Sequence, residues 1–157
     1  MADAMRWRYG DTNPVVLPVD SATVIEIGDL VYLATDDARP ASDQADQASE
    51  AANQELFHDN FAGVAMQRSR SGDTQPIRVA TTGVFEFVCP SGTFEVGALL
   101  GVDEAASGTA LEDQQVAAVA TANLAVGRCG KRVASADTKV LVEIVSTISY
   151  GGPQTAA

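Results

Sequence analysis

The sequence predicts a mainly β protein, organised as a single compact antiparallel β-barrel or sandwich-like domain with one inserted helix and an extended N-terminal arm. Three observations favour this fold class. Short apolar segments alternate with polar residues and are separated by turns of Gly, Asp and Ser. One segment, about residues 40–57, is rich in Ala and lacks β-branched residues. A chain of 157 residues can bury one core but is short for two domains.

Residues 1–20 are expected to form the extended arm. Pro14 and Pro18 lack backbone donors, which disfavours a helix, and apolar residues lie between them. Trp7 and Tyr9 are costly to leave exposed in a disordered terminus, which is the alternative interpretation. An arm this short cannot bury its apolar groups alone. It must lie against the domain, which we expect to fold without residues 1–17, or against another chain.

The β-domain is expected to span residues 21–149. Residues 23–34 favour two β segments separated by a tight turn, and residues 77–88 alternate on both sides of Gly83, which is typical of strands with a bulge or kink. A last strand is expected over residues 140–148. Residues 111–123 could form a short helix, or a loop followed by a strand over 116–121, and we favour the second. Residues 150–157 are expected to be a flexible tail.

The inserted helix is expected over about residues 40–57, beginning near Pro40. A helix there would place small and apolar residues on one stripe: Ala41, Ala45, Ala48, Ala52 and Leu56. Its four acids have no Lys or Arg at helical spacing: Asp43, Asp46, Glu50 and Glu55. The isolated helix is therefore weak, and either packing supplies its stability or it is a partly mobile surface helix.

Composition argues against two classes of partner. Ten Lys and Arg against 21 Asp and Glu give a net charge of -11, so the chain lacks the cationic surface that neutralises phosphates. We therefore expect no nucleic acid and no membrane as partners. No apolar run approaches the ~20 residues of a membrane helix, and the N-terminus lacks a signal-peptide apolar region. We expect a soluble protein without an export signal.

The sequence predicts no enzyme and no cofactor or metal. Cys89 and Cys129 are the only cysteines and His58 the only histidine, which does not amount to a disulfide framework or a thiolate metal site. We expect two reduced, packed thiols and a surface or helix-end histidine. The segment GRCGKR at residues 127–132 has the wrong spacing for a phosphate-binding loop and ends in Arg.

A succession of short motifs runs through residues 24–146. They are IGDLVY at 27–32, FAGVA at 61–65, IRVATTGVF at 77–85, VG at 96–97, VD at 102–103, AVG at 125–127 and VLVEI at 140–144. In this order they resemble the small tailed-phage capsid decoration, or cement, proteins, a family often labelled as RecA/RadA-type phage recombinases. The missing phosphate loop and the net charge oppose the recombinase label.

The resemblance implies a β-barrel-like domain, commonly a homotrimer, that binds the outer surface of the assembled major capsid lattice and stabilises the head. The expected partner is the major capsid protein, and the expected location is the outer capsid surface of the virion, after synthesis in the host cytoplasm. An alternative is the base of a head fibre or spike docked on the capsid. Apolar anchors for such docking are expected in the arm: Trp7, Tyr9, Val15, Val16 and Leu17. Val15 to Val19 could instead form an edge strand of their own domain, or pair with a neighbouring chain.

Overall fold

The computed structural model describes residues 2–105 and 110–155, and the chain is mainly β, as the sequence predicts. The strands of these residues are β1 (Trp7–Tyr9), β2 (Val15–Leu17), β3 (Leu30–Ala34), β4 (Asp37–Pro40), β5 (Phe61–Ala65), β6 (Ile77–Ala80), β7 (Val84–Phe94), β8 (Leu99–Glu104), β9 (Leu111–Ala118), β10 (Gly127–Cys129) and β11 (Val133–Ile144). The helices are α1 (Glu50–Asn60) and α2 (Thr147–Tyr150).

Five strands close into a barrel, which confirms the predicted architecture. Their order is β7-β11-β10-β8-β9, and a parallel pairing between Val88 of β7 and Gln115 of β9 closes the ring. Alternate residues of β7 point inward, so Phe85 and Phe87 are fully buried in the barrel core. Strand β1 pairs with the N-terminal end of β7 and extends this sheet. The extended arm is thus part of the folded molecule.

The other five strands form a second sheet in the order β2-β6-β5-β3-β4. Its smaller core includes Val31, Ala62 and Val79, all completely buried. Gly63 of β5 has a φ of +149°, and a Cβ at this position would overlap the carbonyl of Ala80 on β6. Only glycine permits this close approach of the two backbones.

The expected helix over residues 40–57 is wrong in its bounds. Pro40 ends β4, residues 41–43 form a 3₁₀ turn, and Ala48 has a positive φ of 73°, so no helix can run through this segment. The helix α1 begins at Glu50, where the Ser49 hydroxyl accepts a hydrogen bond from the Ala52 amide at 3.2 Å. It buries a mainly polar face, not the alanine stripe: Asn53, Gln54, Phe57 and His58.

Three further segments differ from the sequence-based expectation. The loop expected at the start of residues 111–123 is part of strand β9, because Leu111 already pairs with Glu104 of β8. Gly83 does not kink one strand but separates two, since β6 belongs to the second sheet and β7 to the barrel. The first of the two β segments expected over residues 23–34 is absent, because residues 23–29 form only one isolated β-bridge, from Ile25 to Ser69.

Of the tail expected over residues 150–157, residues 150–155 lie against the barrel, and residues 156–157 lie outside the part of the chain that the structure describes. Gly152 and Pro153 are buried, and the guanidinium of Arg128 on β10 donates to the carbonyl of Gln154. Within residues 2–105 and 110–155, no helix has the length and apolar character needed to cross a membrane.

Candidate docking surface

The aromatic residues of the arm lie on β1. Trp7 pairs with Phe85 and Tyr9 with Val84, so the backbone of the arm is held by the barrel. Their side chains nevertheless remain 40% and 51% exposed. The Trp7 indole donates to the carbonyl of Gly10 at 2.9 Å, which orients the ring. Strand β1 therefore presents two aromatic surfaces to solvent on a fixed backbone.

The remaining three predicted anchors lie on β2, at the edge of the second sheet. Val16 is 61% exposed, whereas Val15 and Leu17 are half-buried and pack against the second core. Strand pairing explains this division, because alternate residues of a strand point to opposite faces. The structure thus leaves Trp7, Tyr9 and Val16 exposed, but on two different sheets.

A buried polar cluster fastens the N-terminal end of the arm to both sheets. The side-chain amide of Gln114, on β9, is completely buried and donates to Asp29 at 2.8 Å and to the carbonyl of Ala2 at 3.1 Å. Its oxygen accepts from the guanidinium of Arg6 at 2.7 Å. The same guanidinium lies 5.8 Å from the ring centre of Phe87. Sequence reasoning missed this cluster, because it interpreted the start of residues 111–123 as a loop.

Burial raises the pKa of the Asp29 carboxyl to about 7, although hydrogen bonds from the Glu26 amide and from Gln114 act in the opposite direction. The neighbouring Gly28 has a φ of +97°, and a Cβ there would overlap the carbonyl of Ala4. Asp29 and Gly28 therefore shape the turn on which the arm rests.

A second contact holds the arm at the surface. The Ala4 amide donates to the carbonyl of Ile27 at 2.8 Å, and the Asp3 carboxylate accepts from the Ile27 amide at the same distance. The hydrogen bond from the Ile27 amide is the main cause that lowers the pKa of Asp3, and Glu26 and the Arg68 guanidinium, 2.9 Å away, lower it further. The arm is consequently attached at both ends of residues 2–9.

The single histidine and the two cysteines are buried inside the fold. His58 is buried near the end of α1, and its Nδ1 lies 2.7 Å from the carbonyl oxygen of Ala125. Cys89 and Cys129 are buried in the barrel core, and burial raises the pKa of the Cys89 thiol. Among the described residues, no group of three or more His, Cys, Asp or Glu side chains is placed to hold a metal ion.

Comparison with known proteins confirms the resemblance seen in the motifs. No curated protein matches the chain. A family model described as phage cement protein matches residues 44–144, which is well over half of the chain. The match includes α1 and the five barrel strands and leaves out the arm. The chain therefore belongs to the phage cement protein family, and this membership implies a decoration role at the virion capsid.

Proposed function

We propose that this protein binds the outer surface of the assembled major capsid lattice and thereby stabilises the phage head. Family membership supports a place at the capsid. Binding alone is enough for this role, since modest contacts repeated over a symmetric lattice add up to tight attachment without a catalytic centre. We further propose that the protein is made in the host cytoplasm, assembles as a homotrimer and joins the shell from outside.

The observation that carries this proposal is the exposure of Trp7 and Tyr9 on a strand whose backbone is already fixed. Trp and Tyr are enriched among the residues that dominate binding free energy at protein interfaces. An anchor on a preformed strand loses little conformational entropy when it binds. The buried cluster around Gln114 supplies this rigidity, because it fixes Arg6 immediately before β1.

Strand β2 supports the same role in a smaller way. It lies at the edge of the second sheet, where its outer backbone groups have no strand partner among the described residues. Such an edge can accept a strand from another protein, and the exposed Val16 would contact that strand. Val15 and Leu17 would contribute indirectly, by holding β2 against its own core.

The double variant W7A/Y9A tests the proposal. Removing two aromatic anchors should weaken binding to capsid particles that lack the protein by ~2–4 kcal/mol, which corresponds to a loss of roughly 30-fold to 1,000-fold in affinity. The domain should stay folded, because both side chains are half-exposed and the β1 pairing uses backbone groups. Particle occupancy by electron microscopy and the melting temperature are the two measurements.

Y150A is the matched control, because Tyr150 is an aromatic residue with a similar exposure of 52% outside the arm. This variant should decorate particles like the wild type. A folded W7A/Y9A protein that decorates particles as densely as the wild type would show that the arm is not the docking surface.

A further inference from the structure

A groove on the barrel gathers an unusual share of the positive charge of this acidic chain. The sequence has only two lysines, and both of them, Lys131 and Lys139, line the same groove together with Arg132. The groove has a volume of about 340 Å³ and lies along β11. Two carboxylates also line it, those of Glu86 and Asp137. Three cations against two carboxylates make this site positive in a chain with a net charge of -11.

Several of these charges already have partners. Glu86 pairs with Arg8 of β1 at 3.4 Å, and Arg132 pairs with Glu95 at 3.0 Å. One Asp137 oxygen accepts from the Thr138 amide at 2.7 Å. Neither lysine forms an ion pair with any residue in 2–105 or 110–155, and both are exposed. Two ammonium groups are therefore available to a ligand that brings its own carboxylates.

The backbone beside these lysines is also open. Strand β11 pairs with β7 at residues 133, 137 and 139–143, and its other side pairs with β10 at residues 142–144 and accepts a hydrogen bond from the Gly130 amide at Leu141. Residues 134–139 are all exposed, and three of them are the small residues Ala134, Ser135 and Ala136. An extended peptide can approach such an edge closely and form backbone hydrogen bonds with it. The register between β7 and β11 is irregular on both sides of Asp137, so a peptide that follows this edge would make regular backbone contacts over a short segment only.

The groove continues towards the aromatic side of the arm. Arg8, between Trp7 and Tyr9, binds Glu86 in the groove wall. The Tyr9 hydroxyl lies 4.0 Å from where a Cβ on Gly130 would be, and Gly130 directly precedes Lys131. A partner that covers Tyr9 would therefore reach the groove as well.

We propose that this groove binds a short, extended, acidic segment of the major capsid protein, and that Lys131 and Lys139 form ion pairs with its carboxylates. Charge complementarity defines the chemistry of the segment, and continuity with Tyr9 assigns it to the partner that the arm contacts. The inference rests on the proposed function for the identity of that partner. It adds a polar recognition site to the aromatic anchors of β1.

The test measures binding of the full chain to undecorated capsid particles at 50 and 300 mM NaCl. The variant K131E/K139E should bind at least tenfold more weakly than the wild type at the lower salt, and its affinity should depend less on salt. The variant K131R/K139R should bind like the wild type, because it keeps both charges. Both lysines are exposed, so melting temperatures should be unchanged. K131A/K139A, which removes the charges without adding carboxylates, should show the same loss in a milder form.

The single variants K131E and K139E have a matched control in R70E, which makes the same charge change at an exposed arginine before β6. R70E should bind like the wild type. If R70E loses as much affinity as K131E or K139E, the loss comes from the overall charge and the inference is wrong. If the wild type binds and K131E/K139E binds equally well, only the groove inference is wrong. If the folded wild-type protein does not bind capsid particles, the proposed function is wrong, and the groove inference is wrong with it.

Two other occupants would also overturn the inference. A second copy of this chain would reveal itself if K131E/K139E lowered the solution mass measured by light scattering. A nucleic acid would reveal itself if a single-stranded oligonucleotide bound the wild type at 150 mM salt and failed to bind K131E/K139E.

Discussion

Gln114 shows how much one side chain can contribute to the placement of the arm. Its amide hydrogens reach Asp29 and Ala2, and its oxygen accepts from Arg6, so the whole amide group is used although it is completely buried. A buried amide left without partners would cost about 1–3 kcal/mol. The cluster is therefore stable only as a unit, and it links the first residues of the chain to β9 and to the turn before β3.

For a single residue, the raised pKa of Asp29 predicts that the stability of the protein depends on pH. Its pKa is about 7 in the folded protein, against an ordinary value of 3.8. The folded state therefore binds this proton more tightly than the unfolded chain does. Its contribution to the free energy of unfolding is complete below about pH 4 and is lost as the pH rises through 7. The free energy of unfolding of the wild type, derived from thermal melts, should therefore be lower at pH 8 than at pH 5 by ~1–3 kcal/mol.

The variant D29N isolates this contribution, because asparagine does not titrate. Its melting temperature should fall less between pH 5 and 8 than that of the wild type, whatever the two values are at pH 5. The exposed Asp59 on α1 provides the control, since D59N should keep the wild-type slope. Parallel curves for wild type and D29N would contradict the assignment to Asp29.

Among the elements, helix α1 shows why the alanine stripe expected from the sequence is not the face that is buried. Its buried amides find backbone partners outside the helix: Asn53 accepts from the Gln47 amide at 2.7 Å, and Gln54 donates to the carbonyl of Val102 at 3.0 Å. His58 and the Ala125 carbonyl make a third contact of this kind. A polar face can be buried when every group is paired, and such pairing is not visible in hydrophobic periodicity.

The two arm strands should differ in their effect on stability. Deleting residues 1–9 removes β1 and Arg6, and should lower the free energy of unfolding by ~1–3 kcal/mol through the lost hydrogen bonds of Gln114 to Arg6 and Ala2. Deleting residues 1–17 also removes β2, with the half-buried Val15 and Leu17, and should lower it by a further ~2–3 kcal/mol. The expectation that the domain folds without residues 1–17 thus becomes a graded prediction. Urea unfolding of both truncations measures it, and equal midpoints would contradict it.

For the whole molecule, the family resemblance predicts a homotrimer. Light scattering should report about three times the chain mass of 16.3 kDa. Each chain carries a net charge of -11, so repulsion between copies should weaken the trimer at low salt, and added salt should strengthen it. Measurements over a range of protein and salt concentrations test both statements. The trimer would be ruled out if the protein were a monomer at every concentration and if electron microscopy of decorated capsids showed single copies at each binding position.

The sequence by itself determined the fold class and the family. Alternating apolar residues in β7 and β11 are a local property of each strand, so they are readable without knowing any partner. The ordered motifs from residue 27 to residue 144 carried the family resemblance in the same way, and the family match over residues 44–144 agrees with it. The absence of a phosphate-binding loop at residues 127–132 also followed from spacing alone.

Only the tertiary structure decided where these segments meet. It paired β1 with the barrel strand β7 and placed β2 in the second sheet, although only five residues separate them. It also brought Gln114 against Arg6 and Asp29, and Lys131 and Lys139 into one groove. The physical reason is that strand pairing and burial join residues far apart in the chain, and the pairing that forms is the one that satisfies the buried backbone and side-chain groups together. That choice depends on all the strands at once, and no single segment contains it.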